Sequence, residues 1–192
     1  MQRFVFLEFT NPKVRTFLTE LRTTLEGIDR GASVHITVRG PYDDLPDRDT
    51  LEQLDEQLRG HGVVIGGAGT FKTRKGFSVY LKAQSPILNE IWWKPEFPAG
   101  EFGVSPHITV YETKNGQGAK AVEAFLRSER VEIFTFGIQL AVHTAKQQNL
   151  FEQTLEPDLQ KKLSEWERWH VRPGILQRAR RLRESWSRPS RE

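Results

Sequence analysis

Ser33-Val-His-Ile-Thr-Val-Arg39 and Ser105-Pro-His-Ile-Thr-Val-Tyr111 share the tetrapeptide His-Ile-Thr-Val, at residues 35–38 and 107–110. Apolar and polar residues alternate in each, the period of a strand with one face buried. Ile36 and Val38 turn into a core, as do Ile108 and Val110. His35 and Thr37 share the other face of their strand, and His107 and Thr109 that of theirs. The surroundings recur as well: Val5-Phe-Leu7 precedes the first copy much as Val79-Tyr-Leu81 precedes the second, at an offset of 74 residues against 72 for the tetrapeptide. The spacing predicts a duplication that sets two equivalent polar faces about a pseudo-twofold axis.

Reading outward, Arg3–Phe9 is a short apolar run of β-formers closed by Thr10-Asn11-Pro12. Val14, Phe17, Leu18, Leu21, Leu25 and Ile28 then keep helical spacing, with Asn11 placed to cap, Pro12 at the first position and Gly27 near the end. After the first His-Ile-Thr-Val strand, Asp49-Thr-Leu-Glu52 has the form of a capping box and Leu51, Leu54 and Leu58 continue as one stripe. Val63–Phe71 and Phe77–Ala83 read as strands around the basic turn Lys72–Gly76. The order then repeats: a helix from Ser85-Pro86 through Ile91 and Trp92, a strand over Val104–Glu112, a helix over Ala119–Arg127, and a strand over Glu132–Thr144 with one interruption.

The 192 residues hold 28 Lys and Arg against 25 Asp and Glu, and no Cys. A disulfide framework, a thiolate zinc site and a cysteine nucleophile are thereby excluded. No apolar run approaches the roughly 20 residues that cross a bilayer, and no apolar signal-peptide core opens the chain. A soluble, cytoplasmic protein without membrane association is expected. The basic charge is concentrated: residues 161–192 carry ten Lys and Arg against four Glu, so a mildly acidic body precedes a basic extension. Stripes at Leu159, Leu163 and Trp166 and at Ile175, Ala179, Leu182 and Trp186, parted by Pro173-Gly174, predict two short helices there. At least the first should dock on the body, leaving the second, with Arg178, Arg180, Arg181 and Arg183, to attract an RNA backbone.

Two His-Thr pairs facing one another suit a specific chemistry. Imidazole titrates near neutrality, so one ring can deprotonate water or a hydroxyl while the other, protonated, donates to a departing oxygen. The threonine hydroxyls can hydrogen-bond the non-bridging oxygens of a phosphate held between them. In-line phosphodiester chemistry fits this division of labour, and it requires no metal.

Two His-x-Thr motifs in a duplicated α+β arrangement resemble the two-histidine phosphoesterase superfamily, which includes the 2′-5′ RNA ligase-like cyclic phosphodiesterases. Ser105-Pro-His-Ile-Thr-Val110 is especially similar to that family's Pro-His-x-Thr form. The resemblance covers about residues 1–150. It implies an α+β fold: a bilobal antiparallel-sheet domain around a water-filled cleft with helices on the outer faces, its lobes at about 1–72 and 73–150, either consecutive or interleaved. Residues 151–192 are expected to form a basic helical C-terminal extension. It also implies His35, Thr37, His107 and Thr109 as the active-site tetrad, with no cofactor and no metal. Of the two roles, His107 is assigned that of base and His35 that of acid, although nothing in the sequence distinguishes them.

The substrate class implied is a 2′,3′-cyclic phosphate or 2′-5′ phosphodiester of RNA or a nucleotide, hydrolysed or reversibly ligated by a monomer. The alternative is an RNA-end or nucleotide-binding module without turnover. Arg39 and Tyr111 follow the two threonines at i+2 and are expected beside the phosphate. Phe71, Lys72 and Arg74 combine an aromatic with cations in the way that grips a nucleic-acid backbone, a solvated hairpin tip being the other explanation. A zinc site from His35, His107 and His143 lacks any helical His-x-x-x-His spacing, and Gly66-Gly-Ala-Gly69 lacks the Gly-Lys-Ser/Thr of a phosphate-binding loop.

Overall fold

The computed structural model describes residues 3–31, 34–42, 44, 46–92, 105–143, 147–149 and 157–187. In chain order these form β1 (Arg3–Phe9), α1 (Pro12–Glu26), β2 (His35–Tyr42), α2 (Arg48–Leu58), β3 (Val63–Thr73), β4 (Gly76–Gln84), α3 (Pro86–Trp92), β5 (His107–Thr113), α4 (Gly116–Glu129), β6 (Glu132–Thr135), β7 (Ile138–His143), β8 (Gln147–Asn149), α5 (Pro157–Trp166), β9 (Arg168–His170) and α6 (Ile175–Ser187). The class is α+β, with two antiparallel sheets.

Local chemistry sets the helix starts. The Asn11 side chain accepts from the N–H groups of Lys13 and Val14 at 2.9 and 3.3 Å, with Pro12 at the first helical position. The start of α2 differs from the capping box expected at Asp49: Asp47 is the cap, accepting from the Thr50 N–H at 2.8 Å and from its hydroxyl at 3.0 Å. A carboxylate three residues ahead of a hydroxyl satisfies two donors at once, so the helix begins a little earlier.

The first sheet has the order β2-β1-β7-β8 and the second β5-β4-β3-β6-β9. Each is completed by a strand from the far half of the sequence: β7 pairs with β1, and β3 pairs with β4. A boundary at residues 72 and 73 therefore cuts the β3–β4 hairpin instead of separating two sheets. The interruption expected within Glu132–Thr144 is where the chain passes between sheets, from β6 beside β3 to β7 beside β1. Gly137 makes that passage possible, because a Cβ there would lie 2.7 Å from the backbone nitrogen of Asn11. Its carbonyl accepts from Thr10 N at 2.8 Å.

One core runs through both sheets, from Leu7, Leu18 and Ile36 to Ile65, Leu81, Ile108 and Val122. The C-terminal segment belongs to it. β9 extends the second sheet beside β6, and Ile175 and Ala179 of α6 are buried, with Leu176 and Leu182 packed against the core. Arg178 holds Glu129 through two nitrogens, at 2.8 and 2.5 Å, and Arg183 donates to the Thr24 carbonyl at 3.3 Å. The second helix of the extension is therefore docked on the body and is not a free arm. The Arg-rich α6 docks on α1 and α4, while Trp166 at the end of α5 is 67% exposed. The physical reason is the apolar row Ile175, Ala179 and Leu182, which small side chains let approach closely, together with a buried carboxylate waiting for a guanidinium. No described helix is long and apolar enough to cross a membrane.

Candidate functional site

Both His-x-Thr segments are edge strands, β2 of the first sheet and β5 of the second. The two edges approach one another, with Cα atoms of β2 and β5 within 8 Å. Within each strand the expected alternation holds: Ile36, Val38, Ile108 and Val110 are buried, whereas His35, Thr37, His107 and Thr109 are half-buried.

The two strands are also mounted alike where they carry the His-Thr pairs. In the first sheet Glu8 stands opposite His35, Phe6 opposite Thr37 and Val5 opposite Arg39, with a register shift between Val5 and Phe6. In the second, Lys82 stands opposite His107, Tyr80 opposite Thr109 and Val79 opposite Tyr111, with the shift between Val79 and Tyr80. A bulge follows the threonine in both cases.

That bulge corrects the expectation for Tyr111. Antiparallel partners share a face, and the partner of Tyr111 is Val79, a fully buried core residue. The extra residue carries Tyr111 off the His-Thr face and onto the helices. Its ring lies 6.1 Å from that of Trp186, and its phenol oxygen lies 3.5 Å from where a Cβ on Gly118 would be. Arg39 holds the corresponding register position opposite Val5, and its side chain lies outside the described part of the structure. Phe71 is brought to the site, its ring 5.1 Å from that of His107. Lys72 is exposed on the next, opposite-facing position of β3, and Arg74 is exposed at the β3–β4 turn, so neither shares the face of His107.

Aromatic rings hold both imidazoles. Phe6 stacks on His35 with centroids 3.9 Å apart, and His107 sits between Phe71 and Tyr80, the latter at 5.0 Å. Gly69 is what lets Tyr80 lie there: a Cβ at that position would be 2.5 Å from the Tyr80 hydroxyl oxygen. The glycine-rich stretch of β3 thus serves ring packing beside His107.

His107 Nδ1 lies 2.6 Å from the carbonyl oxygen of Ser105. A carbonyl only accepts, so Nδ1 carries the hydrogen and the neutral ring keeps its basic lone pair on Nε2. Burial pushes the His107 pKa below its ordinary value, against the hydrogen bond from the ring to Ser105, which raises it. His61 and His170 are exposed and lie apart from these strands, His170 being 3.8 Å from Glu132. The side chain of His143 is outside the described part, although its backbone pairs with Phe4 in β7. Among the described residues no three His, Asp or Glu side chains group as metal ligands would.

Sequence reading missed Glu8, Lys82, Phe6 and Tyr80. The signal was present: carrying the match of Val5-Phe-Leu7 with Val79-Tyr-Leu81 one residue further aligns Glu8 with Lys82 and leaves an aromatic at the middle of each. No protein-family model matches this chain. A search of curated proteins likewise finds no significant match.

Proposed function

We propose that the protein is a phosphoesterase of the two-histidine kind, acting on a 2′,3′-cyclic phosphate or 2′-5′ phosphodiester of RNA or a nucleotide held in a cleft between β2 and β5. One observation carries this reading: two His-x-Thr edge strands approach each other, each set in the same register against its neighbour and each bulged after the threonine. Such matched mounting is what a gene duplication leaves behind, and it presents two imidazoles and two hydroxyls to one phosphate.

The environments separate the two roles. Nε2 of a neutral His107 takes a proton from water as its oxygen bonds to phosphorus. The bond from phosphorus to the ribose oxygen breaks on the opposite side, and protonated His35 supplies the hydrogen that this oxygen needs. Glu8 stands opposite His35 in the ladder, and Lys82, opposite His107, places a cation near the phosphate. Run backwards with a ribose hydroxyl, the same transfers make the bond. Proton transfer through these rings calls for no metal ion. The exposed Arg180 and Arg181 of α6 offer a longer RNA a phosphate contact outside the cleft.

The test is turnover of a panel of 2′,3′-cyclic mononucleotides and 2′-5′ dinucleotides in the presence of a chelator. His35→Ala and His107→Ala should each lower kcat/KM by roughly 10²–10⁴-fold, the range of one general acid or base. Undiminished activity in either variant overturns the mechanism.

A further inference from the structure

A groove of about 700 Å³ opens beside His107, lined in part by Lys82, Gln84, Ser85, Asn89, Ser105 and Pro106. Its size falls within the roughly 300–1,000 Å³ of small-molecule sites. It is continuous with the candidate site through two of its walls. Lys82 is the ladder partner of His107, and Ser105 is the residue whose carbonyl holds the His107 ring. From Lys82 the same strand face leads to Gln84, about 7 Å further along β4 at ordinary strand rise. At the floor Ser85 is 7% exposed, and its hydroxyl has no hydrogen-bond partner among the described residues.

We infer that this groove is the subsite for the nucleobase and ribose attached to the reacting phosphate, an inference that rests on the phosphoesterase reading above. The chemistry of the walls selects the ligand. Lys82, nearest His107, is the one cation lining the groove among the described residues and suits the ribose-phosphate end. Gln84 and Asn89 each offer a donor and an acceptor from one planar amide, which matches the mixed edge of a nucleobase. A second phosphate would find carboxamides where it needs guanidinium or ammonium groups.

The experiment compares binding of the four nucleoside 3′-monophosphates with that of ribose 3-phosphate by calorimetry, in the native protein and in Gln84→Leu/Asn89→Leu. Both residues are exposed, so the double variant keeps its fold. The native protein should bind at least one nucleotide about tenfold more tightly than the sugar phosphate, the worth of one or two good hydrogen bonds. In the double variant that ratio should fall to about one while ribose 3-phosphate binds as before. Equal native affinity for nucleotide and sugar phosphate, or a ratio that survives the double substitution, overturns the subsite and leaves the phosphoesterase reading standing. Failure of the native protein to bind any of these phosphates overturns that reading, and the subsite with it.

Discussion

The ring of His107 is oriented by the backbone oxygen of Ser105, 2.6 Å from Nδ1, and packing against Phe71 and Tyr80 leaves it half-buried. Desolvation disfavours the imidazolium, so the folded chain takes up this proton at lower pH than the unfolded chain, whose histidine titrates near 6.5. Stability from this group is complete above about pH 6.5 and is lost as pH falls from there toward the folded value. Proton NMR of the ring should give a midpoint below 6.5, and the acid limb of kcat/KM should coincide with it. A midpoint at or above 6.5 contradicts the assignment of His107 as base.

Thr37 and Thr109 stand at i+2 from the histidines with half-buried side chains. Thr→Ala at either should cost about 1.5–3 kcal/mol of transition-state binding, the worth of a hydrogen bond to a charged oxygen. Thr→Ser keeps the hydroxyl and should be nearly silent in kcat/KM. Equal losses in both variants would instead assign the methyl group a packing role.

Gly69→Ala brings a Cβ to 2.6 Å from Cζ of Tyr80, inside any tolerated contact. The Tyr80 ring must move, and His107 loses one of its two aromatic neighbours. Activity should drop several-fold or more, and Tyr80→Ala added to Gly69→Ala should recover part of the lost Tm by removing the clash. Unchanged kcat/KM in the single variant would show that this ring does not position His107.

Arg178→Ala leaves the Glu129 carboxylate, 5% exposed, without its partner. The Arg178 side chain is 39% exposed, so solvent screening makes the loss smaller than that of breaking a fully buried pair. The hydrogen bonds from Arg178 lower the Glu129 pKa. Their stabilisation is therefore present above the unfolded carboxylate range and is lost as pH falls through the folded value. Urea titrations at neutral pH and at pH 3 should show a gap between native and variant that closes in acid. Removing residues 175–187 altogether should unfold the protein, because Ile175 and Ala179 are part of its core.

Arg180→Ala/Arg181→Ala should leave turnover of a cyclic mononucleotide intact while weakening binding of a longer RNA. Each phosphate contact removed flattens the dependence of log K on log salt by about 0.7 for a single strand. An unaltered salt slope would confine the RNA contact to the cleft.

Much of this was readable from residue order. The long amphipathic helices announced themselves through Val14, Phe17, Leu18 and Leu21 and through Val122 and Leu126, because burial on one side imposes a 3.6-residue period whatever the helix packs on. The His-x-Thr strands were legible for the same reason, at period two. What escaped was set by partners distant in sequence. β9, three residues long, is too short for any period, and its pairing with β6 depends on a neighbour far upstream. The exchange of β3 and β7 between sheets leaves no local mark, since either strand would look the same in either sheet. Tyr111 obeyed the alternation of its own strand until the bulge, which is a property of the pair and not of one segment. The docking of α6 was hidden because a row of arginines reads alike on a free arm and over a buried carboxylate.

The strand exchange also bears on how the chain comes into being. On a ribosome β1 is made first, and β2 covers one of its edges soon afterwards. Its other edge waits for β7, whose last residue is His143, so a strand of Phe4, Val5, Phe6 and Leu7 stays half-paired until the chain has been made that far. Closing so distant a pairing is slow, and an apolar strand edge open for that interval invites pairing with other nascent chains. Slowing translation between β5 and β7 should therefore increase aggregation, and a chaperone that shields the first 40 residues should relieve it.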